Sequence, residues 1–297
     1  MKFYTNISRY GNNLLYRGYD DGRRIKRKIA FKPTLYVKGK GNSKFNALDG
    51  TNVDAIKLDS MREAKEFIEK YKDVENFKIY GNTNYIAQFI AEEFPGEIKF
   101  DRAKIRIHNI DIEVASDEGF PEPDQAKHPV ISIAIKDSIL DTYFVWALGD
   151  YDVDASIMKQ YQVKYTKCVS EEQLLKLFIQ FWFEEHTTPD VITGWNIRGF
   201  DIPYLVNRII KVAGETEAKR LSPWNVINPR TVEVGLNNKV NTYAFLGISI
   251  LDYIRLYKLY APEGKSQESY KLDNIGHVEL GERKLSYEEY GSLHNLY

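Results

Sequence analysis

The spacing of apolar residues changes near residue 100 and divides the chain in two. In the first part, segments typical of strands lie on both sides of Asp20-Asp21-Gly22, a sequence typical of a tight hairpin turn. Apolar residues spaced three and four apart then predict two helices, one beginning after Ser60 with Glu63 completing a capping box, the other at residues 84–94. Residues 1–100 are therefore predicted to form a small α+β domain. Its strands are expected at residues 14–16 and within 25–37.

From residue 101 onward, segments of alternating apolar residues are interleaved with segments of helical spacing. A capping box formed by Ser170 and Gln173 predicts one helix, and Pro203 suits the first turn of another that continues to Val212. The predicted strands share a high content of Ile, Val and aromatic residues and lie at residues 110–114, 131–135, 143–146, 191–193 and 245–251. This alternation predicts a mixed sheet with helices on its faces, an α/β or α+β domain over residues 101–297.

The charge of the chain is balanced overall but not locally. The 297 residues carry a net charge of −1 and are 43% apolar, which suits a folded core. Residues 1–50, however, contain twelve Lys or Arg against three Asp or Glu, with the densest cluster at residues 23–28. Such a cluster attracts phosphate backbones, so the N-terminal domain is a candidate for binding nucleic acid, RNA included. The alternative is one solvated strand of a hairpin.

Two further features concern the cellular setting. No run of about 18 apolar residues is present, so no membrane-spanning segment is predicted. Cys168 is the single cysteine, which excludes an internal disulfide and fits a reducing cytoplasm.

Asp111 and Glu113 are the first residues with a chemical signature. On a strand their side chains point to one side, while those of Ile110 and Ile112 point to the other. Two neighbouring carboxylates repel each other unless a cation lies between them, and hard oxygen ligands suit Mg²⁺ or Mn²⁺. The alternative is a strand with one solvated acidic side. The alternation slips near residues 108–109, which predicts a bulge or a strand start there.

A second signature lies in the loop at residues 194–203, after a short apolar strand and before a helix. Asp201 is predicted just before the first turn of that helix, near the positive end of its dipole. Trp195, Asn196 and Phe200 would give the loop aromatic and amide groups suited to holding bases and phosphates. The alternative is that Asp201 simply caps the helix.

Together these motifs resemble the exonuclease motifs of family B DNA polymerases. Asp111-Ile112-Glu113 matches the first motif, and Asn196-x-x-x-Phe200-Asp201 matches the second, in the same order and roughly a hundred residues apart. Similarity to the replicative polymerases of T-even-type bacteriophages extends along the chain. It is carried by residues 120–123, 125–129, 221–223 and 247–253. The resemblance implies an RNase H-like fold for residues 101–297 and a 3′→5′ proofreading exonuclease acting on DNA.

The resemblance also implies a role for individual residues. In this family two Mg²⁺ (or Mn²⁺) ions hold the scissile phosphate. Asp111 would bridge both ions, Glu113 would help to place the attacking water, and Asp201 would hold the second ion. The residues expected to bind the single-stranded 3′ primer end are Phe120, Asn196, Phe200 and Lys284.

The family's fourth carboxylate, the Asp of a Tyr-x-x-x-Asp motif, is not found after Asp201. Tyr270 and Asp273 are one residue too close together, and Asp252 is not a ligand position in the family. The exonuclease domain is therefore expected to be incomplete at its C-terminal end and weakly active or inactive alone. Two alternatives follow: a nucleic-acid-binding module, or an assembly subunit of a split polymerase that needs the remainder of the enzyme.

A hairpin is also predicted between Thr231 and Thr242. Residues 235–238 can supply the turn, and the polar flanks predict that the hairpin buries little surface. In the phage polymerases a hairpin at this position helps to separate the primer end from the template, and the resemblance implies the same role here.

Overall fold

The computed structural model describes residues 1–115, 119–152, 160–233, 239–261 and 269–283. The chain divides into two compact units, Met1–Asp101 and Arg102–Tyr297. The mixed α/β architecture expected from the sequence is confirmed. Among the described residues, no helix has the length and apolar character needed to cross a membrane.

The first unit contains two antiparallel sheets, ordered β1-β2-β3 and β5-β6-β4-β7. The predicted hairpin turn joins β2 to β3, and Ser60 caps the first helix, its Oγ accepting from the backbone N–H of Glu63 at 3.0 Å. In chain order its elements are β1 (Phe3–Tyr10), β2 (Asn13–Asp20), β3 (Arg23–Ala30), β4 (Thr34–Lys38), β5 (Phe45–Asn46), β6 (Asn52–Lys57), α1 (Met61–Tyr71), β7 (Ile79–Tyr80) and α2 (Tyr85–Glu93).

The second unit is built on a six-stranded mixed sheet. In chain order its elements are β8 (Ile107–Val114), β9 (Val130–Asp137), β10 (Thr142–Ala147), β11 (Gln162–Lys167), α3 (Glu171–Phe183), β12 (Val191–Gly194), α4 (Asp201–Ala213), α5 (Glu215–Lys219), β13 (Ile227–Glu233), β14 (Lys239–Phe245), β15 (Ser249–Asp252), α6 (Tyr253–Tyr260) and α7 (Leu272–Leu280).

The strand order of this sheet is β11-β10-β9-β8-β12-β15. β8, β9 and β10 are antiparallel neighbours, whereas β8, β12 and β15 run parallel. Ile110 and Ile112 of β8 belong to one buried cluster with Phe178 of α3 and Leu205 of α4. The sheet therefore places the carboxyl ends of three parallel strands side by side, a common position for ligand sites in α/β folds.

A buried charged cluster lies at the opposite end of β8. The carboxylate of Asp137 is fully buried and pairs with Arg106 and His108. It also accepts backbone N–H groups from Ile139 at 2.8 Å and Leu140 at 3.0 Å. Burial acts to raise the pKa of Asp137, but the hydrogen bonds from His108 and the backbone outweigh it and hold the pKa well below the usual range.

One local prediction is corrected and another is confirmed. The strand expected at residues 245–251 is interrupted, because Gly247 adopts a φ of +91° and a Cβ there would lie 2.8 Å from the ring of Trp224. β8 begins at Ile107, next to the predicted slip, so the strand start that the sequence allowed there is confirmed. A separate irregularity in its pairing with β9 lies between Glu113 and Val114.

Candidate functional site

The two carboxylates of β8 lie on the side of the sheet away from the core. Ile110 and Ile112 are 4% and 5% exposed, whereas Asp111 is exposed and Glu113 is half-buried. This is the alternation that the sequence predicts for a strand covered on one face. The covered face fixes the orientation of the strand, so both acidic side chains are held on the opposite face.

Asp201 meets β8 directly. β12 pairs with β8 only as far as Asn109, so the amide of Ile112 has no strand partner on that side. The Oδ1 atom of Asp201 accepts this N–H at 3.2 Å. Gly194, which ends β12, permits the close approach, because a Cβ there would lie 2.6 Å from the carbonyl oxygen of Ile110. A residue from the second motif is thereby attached to the backbone between the two acids of the first.

The position of Asp201 differs from the predicted one. It is the first residue of α4 rather than a residue before it, and the N-cap is Phe200, which makes no capping hydrogen bond through its side chain. The alternative that Asp201 serves as the helix cap is therefore wrong. Its carboxylate turns toward β8 instead.

The Asp201 carboxyl group has a raised pKa. It is 5% exposed, and burial, followed by the negative charge of Asp111, raises its pKa to about 8. A buried acidic group whose charge is further disfavoured by a neighbouring acid is typical of a site completed by a cation. The hard oxygen donors of Asp111, Glu113 and Asp201 suit Mg²⁺ or Mn²⁺.

The carboxylates of Asp111, Glu113 and Asp201 do not surround a common metal position in this structure. Within the part of the chain that the structure describes, no group of three or more Asp, Glu, His or Cys side chains is arranged to hold a metal ion. The oxygen donors of these three acids suit a divalent cation. Their arrangement around one ion remains a prediction.

Asp252 positions the loop between β12 and α4, a role that the sequence does not reveal. It lies at the end of β15, which runs parallel to β12, and is 5% exposed. Its carboxylate accepts the backbone N–H groups of Asn196 at 3.0 Å and Arg198 at 2.9 Å. It also accepts the N–H of Ile254 at 3.3 Å and so caps α6. Only this capping pattern, an Asp at the boundary between strand and helix, could have been recognised from the sequence.

Phe120 and Phe200 form an aromatic pair at the surface. Their ring centroids lie 4.8 Å apart, and Phe120 is 73% exposed. Phe200 also contacts the ring of Tyr204 in α4, at 5.4 Å. The structure therefore brings together two predicted substrate-binding residues that are far apart in the sequence.

Trp195 has a different environment from the one expected of a base-stacking residue. Its Nε1 donates to the carbonyl oxygen of Tyr270 at 3.1 Å, and its ring lies 5.9 Å from that of Tyr257. These contacts connect the loop to α6 and to the segment before α7. Asp273 pairs with Arg283 at 3.1 Å.

The remaining predicted features lie outside this site or outside the residues that the structure describes. Lys284 and the hairpin turn at residues 235–238 lie outside the described residues. The two strands of that hairpin are present and pair from Ile227 with Phe245 to Glu233 with Lys239. The basic cluster at residues 23–28 lies on β3, at the edge of the three-stranded sheet, where most of its side chains are exposed.

Comparison with known proteins matches residues 59–275 to the family described as DNA polymerase family B, exonuclease domain. The chain is 33% identical to the DNA-directed DNA polymerase of Escherichia phage RB69 and 30% identical to that of Enterobacteria phage T4. Each alignment covers 97% of this chain and 34% of the relative. A DNA polymerase catalytic subunit of equine herpesvirus 2 is 24% identical over 61% of this chain and 18% of its own length. The chain thus spans about a third of the length of its phage relatives. On this evidence it belongs to the exonuclease-domain family of family B DNA polymerases.

Proposed function

We propose that this chain carries most of the two-metal 3′→5′ proofreading exonuclease site of a replicative DNA polymerase. The observation that supports this best is the hydrogen bond from the Ile112 amide to Asp201. It joins the second motif to the strand that bears Asp111 and Glu113. The substrate would be the single-stranded 3′ end of a primer, and the remainder of the polymerase, in the same chain or a second polypeptide, would be the partner.

Asp111, Glu113 and Asp201 would hold the divalent cations, Mg²⁺ or Mn²⁺. When bound, such ions neutralise phosphate charge and make a water molecule a better nucleophile. The protein's own contribution is positional. The core fixes β8, and the contact with Ile112 fixes the carboxylate of Asp201 beside it.

The aromatic pair Phe120–Phe200 would bind the terminal base by stacking, because an exposed aromatic face accepts any base. Asn196 lies in the same loop, which Asp252 holds in place. By resemblance to the family, Lys284 would approach the scissile phosphate.

The main alternative is a catalytically incomplete subunit that binds nucleic acid or assembles with the rest of a split polymerase. It is favoured by the lack, among the described residues, of three acids already arranged around one metal position. The two proposals differ in whether this chain cleaves DNA.

We expect the chain alone to release mononucleotides from single-stranded DNA feebly at most, since its carboxylates are not gathered in advance. The measurement is Mg²⁺- or Mn²⁺-dependent release from a 3′-labelled oligonucleotide. Any release should disappear in Asp111→Ala and persist in Asp141→Ala, whose carboxylate is exposed and pairs with Lys136. Release that survives Asp111→Ala would refute the assignment of the site, and rapid release by the unaltered chain would refute its incompleteness.

A nucleic-acid-binding role for β3 remains a separate prediction. Replacing Arg24, Lys26 and Lys28 with Gln should reduce the salt dependence of RNA or single-stranded DNA binding by roughly 0.7 per lost phosphate contact. A control with three lysines of the α1 region changed to Gln, Lys65, Lys70 and Lys72, removes the same charge. Equal salt slopes for the two variants would support the solvated-strand interpretation of β3.

A further inference from the structure

A cleft of about 280 Å³ lies beside the loop between β12 and α4. The end of β13, this loop and the first turns of α6 form its walls. Three cationic side chains line it, one from the loop and two from the helix: Arg198, Arg255 and Lys258. We call it the cationic cleft.

The two helical cations are placed on one side of α6. Arg255 and Lys258 are three residues apart, so their side chains lie on the same face of the helix. The Nζ atom of Lys258 lies 4.5 Å from the centroid of the Tyr270 ring. Across the described ranges, neither Arg255 nor Lys258 forms a salt bridge. Both side chains are exposed, so an anion can approach them from solvent.

Arg198 is held rigidly at the inner wall. It is half-buried, and its Nη2 donates to the carbonyl oxygen of Ile250 at 2.6 Å. Burial lowers the pKa of Arg198, and the neighbouring Arg255 lowers it further, against the opposing effect of Asp252. Two guanidinium groups that repel each other across a cleft favour an anion between them.

Two acids also line the cleft, and they differ in how far their negative charge is compensated by hydrogen bonds. The carboxylate of Asp252 already accepts three backbone N–H groups, from Asn196, Arg198 and Ile254, so much of its charge is compensated. Glu233 lies at the end of β13, where its carboxylate competes with an incoming anion for the same cations.

We propose that the cationic cleft binds an internal phosphodiester of the DNA strand whose 3′ end lies at the exonuclease site. This inference rests on the proposed function. Arg198 belongs to the same loop as Asn196 and Phe200, and Asp252, which also lines the cleft, accepts the backbone N–H of Asn196 at 3.0 Å. A strand stacked on Phe200 would lie close to Arg198 along this loop, so the cleft is placed to meet its backbone. Arg198, Arg255 and Lys258 act as positioning residues that hold the backbone of this strand.

The test is the binding of a fluorescently labelled oligothymidylate by the chain in Ca²⁺, followed by anisotropy across a series of salt concentrations. The double variant Arg255→Gln, Lys258→Gln removes two exposed charges. The matched control Lys176→Gln, Lys219→Gln removes two lysines that pair with acids elsewhere in the same unit. We expect the salt slope to fall by about 1.4 in the cleft variant, and affinity at low salt to fall roughly tenfold. The control should match the unaltered chain.

Two further measurements distinguish binding at the cleft from nonspecific electrostatic attraction between DNA and the chain. Glu233→Gln should tighten binding, because it removes the competing carboxylate. A labelled dinucleotide, too short to reach past the terminal base, should bind the cleft variant and the unaltered chain equally.

The outcomes are distinguishable. Equal slopes for the cleft variant and its control would overturn the cleft proposal alone. If inorganic phosphate at constant ionic strength weakened oligonucleotide binding no more in the unaltered chain than in the cleft variant, the assignment of the cleft to a phosphodiester would be overturned. Failure of the unaltered chain to bind any single strand would overturn both this inference and the proposed function.

Discussion

Replacing Asp201 with asparagine is expected to stabilise the metal-free chain at alkaline pH. The pKa of Asp201 rises from its ordinary value of 3.8 to about 8 in the folded chain. The folded state therefore retains a proton that the unfolded state releases, and stability falls as pH rises from about 4 to about 8. At about 1.4 kcal/mol per pKa unit, the cost of the carboxylate at pH 8 is on the order of 5 kcal/mol. Asparagine carries no charge, and its Oδ1 can still accept the Ile112 amide.

Urea unfolding followed by tryptophan fluorescence measures this effect, because all four tryptophans lie in the second unit. Asp201→Asn should be more stable than the unaltered chain at about pH 8 and nearly equal to it at about pH 4. Asp150→Asn, an exposed aspartate, is the control and should change little at either pH. Mn²⁺ should stabilise the unaltered chain increasingly as pH rises and should not stabilise the variant. A variant less stable at both pH values would contradict the desolvation of Asp201.

Asp137→Ala should have an effect of similar size and opposite sign. Its carboxylate is fully buried with Arg106 and His108, and it also accepts the amides of Ile139 and Leu140. Removing it leaves a buried guanidinium without its counter-charge, which costs about 3–5 kcal/mol. Because the pKa of Asp137 is lowered on folding, this stabilisation is present above the ordinary aspartate pKa and is lost as pH falls toward the folded value.

The same fluorescence measurement applies at neutral pH. Asp141→Ala is the matched control, since its carboxylate is 89% exposed and its pairing with Lys136 is a surface interaction worth at most about 1 kcal/mol. If both variants lost equal stability, the buried cluster at the start of β8 would contribute no more than a surface ion pair.

Local patterns predicted those features that neighbouring residues determine. The hairpin turn at Asp21-Gly22, the cap at Ser60 and the alternation around Asp111 each depend on a few consecutive positions, and each is present. The Asn196–Asp201 motif likewise identified a loop that the structure places against β8.

The rest depends on contacts that no local pattern specifies. Asp252 holds the loop only because β15 pairs in parallel with β12. The interruption at Gly247 arises from the ring of Trp224, which packs where a side chain would be. Asp201 fits a helix cap by position alone, and the unpaired amide of Ile112 redirects its carboxylate. Each correction therefore has a tertiary cause.

The parallel pairing of β8, β12 and β15 also sets an order of events during synthesis. Ile112 and Asp201 are separated by 89 positions, and Asn196 and Asp252 by 56. Contacts between such distant positions form slowly, because the chain between them must be ordered before they are made. A nascent chain displays Asp111 and Glu113 well before the ribosome has added Asp252. Until then it lacks the hydrogen bonds that fix the loop, so the candidate nuclease site matures only after β15 has emerged.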